Sequence, residues 1–284
     1  MSLERVSNIL RMADEVNTAV ISLICIDYNT VYSAITVAEE LQKPIIIMLL
    51  PEHNEKNNVS GVAGFVAMVK ELAEKVKIPI GLHLDHSSDY EYILKAIKYG
   101  FTSVMIDGSM YPLEKNISIS KKVAETAHIL GADVEAELGH VGLAHEGDGN
   151  RGDLYTDPKI ADRFCNETGV DYLTVAIGSA HGVYLETPKL DIKRLEEINV
   201  LTDKPLVLHG GSGIPHEQLE VAFTKGINKF NVGTEYLECY YEAINKYVDH
   251  MKGNDKDLKI LDMPNYIQEE LMEYLRRKME LSKF

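Results

Sequence analysis

The sequence contains no tryptophan and only three cysteines, Cys25, Cys165 and Cys239, in 284 residues. Three widely spaced thiols make neither a disulfide framework nor a CxxC metal clamp, so they read as buried apolar residues. There is also no run of about 18 apolar residues, which argues against a transmembrane helix. The charged start, MSLERVSNILRMADEV, lacks the apolar core and small-residue cleavage site of a signal peptide and reads as an amphipathic helix. A soluble, cytoplasmic protein is the expectation. Basic residues are scarce: 29 Lys and Arg stand against 44 Asp and Glu, a formal charge of −15. That balance argues against a nucleic-acid surface and a membrane partner, and for small molecules. An anionic ligand would then need a local positive field, from a metal ion, helix N-termini or grouped backbone N–H donors.

No Gly/Ser/Pro-rich linker, repeat or low-complexity segment interrupts the chain, so residues 1–284 are expected to form a single domain. What the sequence does have is alternation. Eight short β-rich runs occur at 19–26, 44–50, 78–85, 102–107, 133–138, 171–177, 205–210 and 229–232. Between them, stretches such as 30–42, 89–100 and 217–226 carry apolar residues at three- and four-residue spacing, as amphipathic helices do. Eight β–α steps predict an α/β fold of the TIM (β/α)8 barrel type, with a doubly wound open sheet as the alternative. The tail beyond Pro264 predicts an extra C-terminal helix that caps the barrel or meets a partner subunit.

In such a barrel the reactive groups belong at the C-terminal ends of the strands. Asp85 and His86 end the third run, Asp107 the fourth, His209 the seventh and Asn231 the eighth; Glu135 and Glu137 lie on the fifth and His181 follows the sixth. A lone histidine at a strand end is more often a hydrogen-bonded polar residue than a ligand. Three from three strand rims can converge on one Zn2+ and leave a position open for substrate. His83 reads as packed in the barrel interior, and His140 is open. Asp107, Glu135 and Glu137 read equally as a hydrogen-bond network under the site or as ligands of a further ion. The segment LHGGSGIP at 208–215 leads into a helix, as does NVGTE at 231–235. Both can present backbone N–H groups to phosphate at the mouths of the last two strands. A Schiff-base mechanism would need a desolvated lysine at a strand's C-terminal end. Lys43, Lys77, Lys204 and Lys229 instead stand at or before strand starts, which leaves a metal ion to stabilise a carbanion.

The segments GLHLDH at 81–86, SVMIDGS at 103–109, VEAELGHVG at 134–142, VAIGSAHGVY at 175–184, LHGGSGIP and NVGTE, with LYTDP at 154–158 and KMEL at 278–281, follow one another in a pattern that resembles the class II ketose-bisphosphate aldolases, in their fructose/tagatose branch. The resemblance implies a TIM barrel, usually dimeric or tetrameric. It implies His86, His181 and His209 as Zn2+ ligands and Asp85 as the group exchanging a proton with the C4 hydroxyl. Asp107 and Glu135 match positions that can hold a second divalent ion, or a monovalent cation. Gly182, Gly210, Gly211, Ser212, Asn231, Val232, Gly233 and Thr234 match the binding site for dihydroxyacetone phosphate. The expected reaction is reversible cleavage of a ketose 1,6-bisphosphate to dihydroxyacetone phosphate and an aldehyde such as glyceraldehyde 3-phosphate.

The sequence also departs from the family. The loop acid that protonates C3 is sought in VGLAHEGDGNRGD at 141–153, where His145 falls at the usual glutamate and Glu146 one place later; Glu146 is the candidate. Leu23-Ile24 replaces a usual Phe-Asn, and Leu50-Pro51 a substrate-contacting serine. Gly233 stands where fructose-specific members often have Asp and tagatose-specific ones Ala. These changes lean away from strict fructose bisphosphate use, so another phosphorylated keto-compound, for example a deoxy-keto-gluconate phosphate, or a non-catalytic sugar-phosphate binder are the alternatives.

Overall fold

The computed structural model describes residues 3–53, 61–252 and 260–284. Its strands are β1 (Val20–Ile24), β2 (Ile45–Leu49), β3 (Ile80–Ser87), β4 (Ser103–Ile106), β5 (Asp133–Leu138), β6 (Tyr172–Val175), β7 (Leu206–Leu208) and β8 (Ile227–Val232). They close in sequence order into an eight-stranded barrel in which every pairing is parallel, including β8 to β1. The helices between them are α2 (Tyr28–Leu41), α3 (Gly61–Ala73), α4 (Tyr90–Tyr99), α5 (Leu113–Ile129), α6 (Pro158–Thr168), α7 (Ile192–Leu201) and α8 (His216–Thr224). Before the barrel stands α1 (Val6–Glu15); after it come α9 (Thr234–Lys252) and α10 (Met263–Met279). The fold is the expected TIM barrel with its extra C-terminal helix.

Local chemistry sets where the helices begin. Asp27, Asp89, Asp157 and Asp191 each accept a backbone N–H from the first turn of the helix that follows, satisfying donors the helix itself leaves free. At α2 the cap is reciprocal, because the Thr30 side chain bonds back to the Asp27 backbone.

Alternate residues of each strand face opposite ways, and the two sets differ in kind. Outward residues such as Ile21, Leu23, Ile45, Ile47, Leu82 and Leu84 join the helices' apolar faces in one large buried core. Inward residues divide along the barrel axis. At the N-terminal end Val20, Ile46, Met48, Tyr172 and Val207 pack with Val6, Ile9, Leu10 and Ala13 of α1 into a second apolar cluster, so α1 plugs that end. Farther along, the interior is polar: His83, Ser103, Glu135, Thr174 and Lys229 are all fully buried. His83 sits where the sequence places it, with Nδ1 2.8 Å from Ser103 Oγ.

The expectation for Lys229 needs correcting. β8 begins at Ile227, two residues before the apolar pattern suggests, so Lys229 is its third residue and lies inside the barrel rather than at its base. α10 packs against α2 and α9 on the barrel's flank, burying Ile267, Leu271, Leu275 and Met279, and so does not cap the mouth. Lys278 on α10 reaches Glu235 on α9 at 2.8 Å, and Arg276 forks onto Glu40 of α2 at 2.9 and 3.0 Å.

Candidate active site

Asp85 and His86 are neighbours on β3, and on a regular strand they would face opposite ways. The register of β3 against β4 shifts between Leu84 and Ser87, and His86 adopts a left-handed φ of +36°. That irregularity, strained for a residue with a Cβ, brings both side chains into the barrel mouth, where they line one cavity. His181 arrives from the loop after β6, held by a parallel bridge to Leu143, and His209 follows directly on β7.

The three imidazoles meet. Ring centroids lie 4.8 Å apart for His86 and His181, 4.6 Å for His86 and His209, and 5.5 Å for His181 and His209. One nitrogen from each falls within 4.8 Å of the others. The outward nitrogen of each ring has an acceptor: His86 Nδ1 donates to Asp107 Oδ2 at 2.9 Å, His181 Nδ1 to the Val141 carbonyl at 3.0 Å, and His209 Nε2 to Glu135 Oε1 at 2.9 Å. A ring that donates from one nitrogen presents a lone pair on the other, so these partners aim the remaining nitrogens inward.

The donor set fits a divalent cation. His209 Nδ1 and Glu137 Oε2 are buried, lack a hydrogen-bond partner and lie 3.7 Å apart. Buried polar atoms left in that state call for an ion or water. Burial lowers the His86 pKa, but the carboxylates of Asp85, Asp107 and Glu137 outweigh it and raise the ring to about 10. His181, whose Nε2 is 3.2 Å from that of His86, is pushed down to about 3 by burial and by the other two rings. The pocket therefore favours one positive charge at its centre and resists a second proton. Asp85 is 2 % exposed; burial alone would raise its carboxyl, but His86, His209 and Lys229 hold it ionised below its usual range.

Of the carboxylates expected beside a further ion, Asp107 is in place, grouped with His86 and Glu137 within 4.8 Å. Glu135 stands apart from that group, two residues deeper on β5 than Glu137, bonded to Lys229 Nζ at 2.8 Å, Thr174 Oγ1 at 2.5 Å and His209 Nε2, as the hydrogen-bond-network reading expects. Burial favours its neutral form, yet Lys229, His83 and His209 hold it well below the usual carboxylate range. Glu137, fully buried, is the glutamate that groups with His86 and Asp107. Both glutamates face inward, and counting back from the strand's end at Leu138 favours the nearer one. Lys229 is tied to Glu135 and is not among the cavity-lining residues, so it does not present an amine to substrate.

The cavity has a volume of about 790 Å3, and Gly182, Gly210, Ser212, Asn231, Gly233 and Thr234 lie on its wall. Gly211 and Val232 do not; Val232 packs its side chain into the outer core. At Gly210, with φ +64°, a Cβ would sit 2.2 Å from the Ala180 carbonyl oxygen, so only glycine lets the chain turn there. Tyr184, unremarked in the sequence, clamps that turn by accepting from Ala180 N at 2.7 Å and donating to the Gly210 carbonyl at 3.0 Å. Ser212 Oγ accepts from Glu235 N at 3.2 Å, coupling the β7 loop to the start of α9. Asn231 Nδ2 donates to Asp85 Oδ1 at 3.3 Å. Glu146 is not brought to the cluster. Its side chain is 60 % exposed on a short 3-10 turn, Ala144–Glu146, and the cavity wall reaches that loop at Leu143. The wall also includes Leu237, Glu238 and Tyr241 of α9, which helical periodicity alone could not assign to a site.

A parallel barrel with three histidines gathered at its C-terminal mouth, beside glycine-bearing turns, is an arrangement that could hold a divalent cation. The sequence model of the family described as Fructose-bisphosphate aldolase class-II matches residues 4–283. The chain is 42 % identical over 211 residues to the fructose-bisphosphate aldolase of Geobacillus stearothermophilus, covering 74 % of this chain and 73 % of that one. It is 44 % identical over 200 residues to a probable fructose-bisphosphate aldolase of Bacillus subtilis, covering 70 % of each. Among solved structures, the YdjI aldolase from Escherichia coli K12 superposes with a TM-score of 0.86 at 30 % identity, over 99 % of this chain and 97 % of that one. The chain belongs to the class II fructose-bisphosphate aldolase family, and is thus a carbon–carbon lyase.

Proposed function

We propose that the protein is a Zn2+-dependent aldolase that cleaves a ketose 1-phosphate between C3 and C4, giving dihydroxyacetone phosphate and an aldehyde. The observation that carries this reading is the trio of rings, each fixed from behind by an acceptor and each turning its free nitrogen to a common centre. His86, His181 and His209 would hold the ion, with Glu137 and Asp107 nearby for a second cation. A divalent ion bound there supplies Lewis-acid polarisation of the substrate's ketone.

The chain's own groups do the rest. Backbone N–H groups of Gly210 and Ser212 and of Gly233 and Thr234, at the start of α9, hold the 1-phosphate; the Gly211 N–H is already given to the Asn231 carbonyl. Asp85, ionised and buried, accepts the proton of the C4 hydroxyl; the C4–O electrons form the aldehyde carbonyl as the C3–C4 bond breaks. The released pair delocalises from C3 into the neighbouring carbonyl as an enediolate. Asn231, bonded to Asp85 and with a free buried Oδ1, orients that base and the substrate hydroxyls. C3 then takes a proton, and Glu146 is our candidate donor: it stands on the loop whose Leu143 already borders the cavity, and a swing of that loop would carry its carboxyl inward.

The family's substrates, ketose 1,6-bisphosphates of fructose or tagatose type, agree at the 1-phosphate end. A cytoplasmic homodimer or homotetramer is part of the same proposal, and sedimentation tests the assembly. The decisive experiment is chelation. EDTA is expected to abolish cleavage and Zn2+ to restore it, with borohydride plus substrate trapping no adduct; activity surviving chelation refutes the reading.

A further inference from the structure

The cradle and the histidines fix how a substrate lies in the cavity. Its phosphate sits at the mouths of β7 and β8 and its C4 hydroxyl at Asp85 on β3. Asp107 and His140 occupy the β4–β5 side, His140 Nδ1 being 2.9 Å from Ser109 Oγ and 3.6 Å from Glu137. The carbons beyond C4 therefore extend the other way, over the ends of β1 and β2 and along α9. The wall there is formed by Ile24, Leu50, Leu237 and Tyr241, with Glu52, His53 and Glu238.

Two features of this wall bear on charge. Among the described residues lining the cavity there is no lysine and no arginine. A phosphate dianion at this end would give up water for the hydrocarbon of Ile24, Leu50 and Leu237, beside the acidic Glu238. Ile24 is also committed to its place by Gly233. A Cβ on residue 233 would fall 2.6 Å from Ile24 Cδ1 and 3.3 Å from Cγ1, so the absent side chain is what lets the isoleucine lean onto the edge of the cradle. The changes at positions 24 and 233 are thus one packing unit, and together they turn the β1 edge of the site apolar.

We infer that the aldehyde this enzyme releases, and accepts in the reverse direction, is uncharged at its far end rather than phosphorylated. The substrate is then a ketose with a single phosphate, on C1. The bond chemistry is unchanged: C3–C4 breaks, the C4 hydroxyl proton goes to Asp85, C4 becomes the aldehyde carbon and C3 gains a proton. This inference rests on the aldolase reading above, so the test must separate the two.

The Zn2+-loaded full chain is given dihydroxyacetone phosphate in deuterated water, and exchange of the C3 hydrogen is followed by NMR without any aldehyde. The same enzyme is then offered glyceraldehyde 3-phosphate, glyceraldehyde and butanal. Exchange is expected, with kcat/KM for one of the uncharged aldehydes at least about tenfold above that for glyceraldehyde 3-phosphate. Exchange together with a preference for the phosphorylated aldehyde, or with no uncharged aldehyde condensed, overturns this inference and leaves the aldolase reading standing. No exchange and no condensation overturns both. Leu237→Arg, which puts a cation on the wall, is expected to move the ratio at least about tenfold toward the phosphorylated aldehyde; an unmoved ratio means the far end lies elsewhere and overturns the inference.

Discussion

The mouth of the barrel has two unlike sides. From β3 through β7 it carries His86, Asp107, Glu137, His181 and His209, every ring backed by a named acceptor. Along β1, β2 and α9 it carries Ile24, Leu50, Leu237 and Tyr241. On the first side each residue's chemistry is prescribed, because a lone pair or a proton must be at a given atom. On the second side only shape and charge matter, and Ile24 and Leu50, read in the sequence as departures from the family's pattern, lie there; His145, read likewise, lies in the loop after β5. In the proposed function the reaction and the substrate's far end fall on opposite walls, so that one could change while the other stays.

Substitutions on the two walls should differ accordingly. His209→Ala or His181→Ala is expected to cost at least about 10^3-fold in kcat/KM with every aldehyde, since Lewis-acid stabilisation is worth several kcal/mol; metal analysis of the purified variants should show the loss. Asp85→Asn should lower kcat by about 10^2- to 10^4-fold while the protein still binds about one equivalent of Zn2+, and steady-state kinetics beside a zinc titration separates those effects. Beneath the histidines, Glu135→Gln strands Lys229 in the interior and should cost roughly 3–5 kcal/mol of stability by chemical denaturation. It should also weaken metal affinity about 10- to 100-fold. Adding Lys229→Met should return part of that stability and none of the metal affinity. On the apolar wall, Gly233→Ala alone should slow condensation, and Ile24→Ala should relieve it; a double-mutant cycle in kcat/KM is expected to give about 0.5–3 kcal/mol of coupling. Additive effects there would mean that Ile24 and Gly233 act independently.

Much of this was readable beforehand, for physical reasons. All eight strands lie within or close to the apolar runs, because a strand buried on both faces cannot carry many polar residues outward. His86 and His209 stood out at the ends of their runs and His181 just after the sixth, on the rim where a barrel gathers them. Lys229 was misplaced because β8 starts with Ile227 and Asn228 and its inward residues are polar, which hides the strand from an apolarity count. Glu135 and Glu137 share a face, and only the depth of each along the barrel, set by pairing register, tells a residue behind a ligand from one beside it. The irregularity at His86 and the contact between Ile24 and Gly233 depend on backbone geometry and on residues far apart in sequence. Neither leaves a mark in local composition. Glu146 is exposed on its loop, so in the proposed reaction motion of that loop would have to bring it to C3.

Anomalous diffraction at the zinc edge, from crystals grown with Zn2+, tests most directly whether the three histidines share one dication. A single strong peak is expected about 2.0–2.1 Å from a nitrogen of each of His86, His181 and His209. A peak held by other residues, or none at this mouth in a crystal whose protein is active, would contradict it.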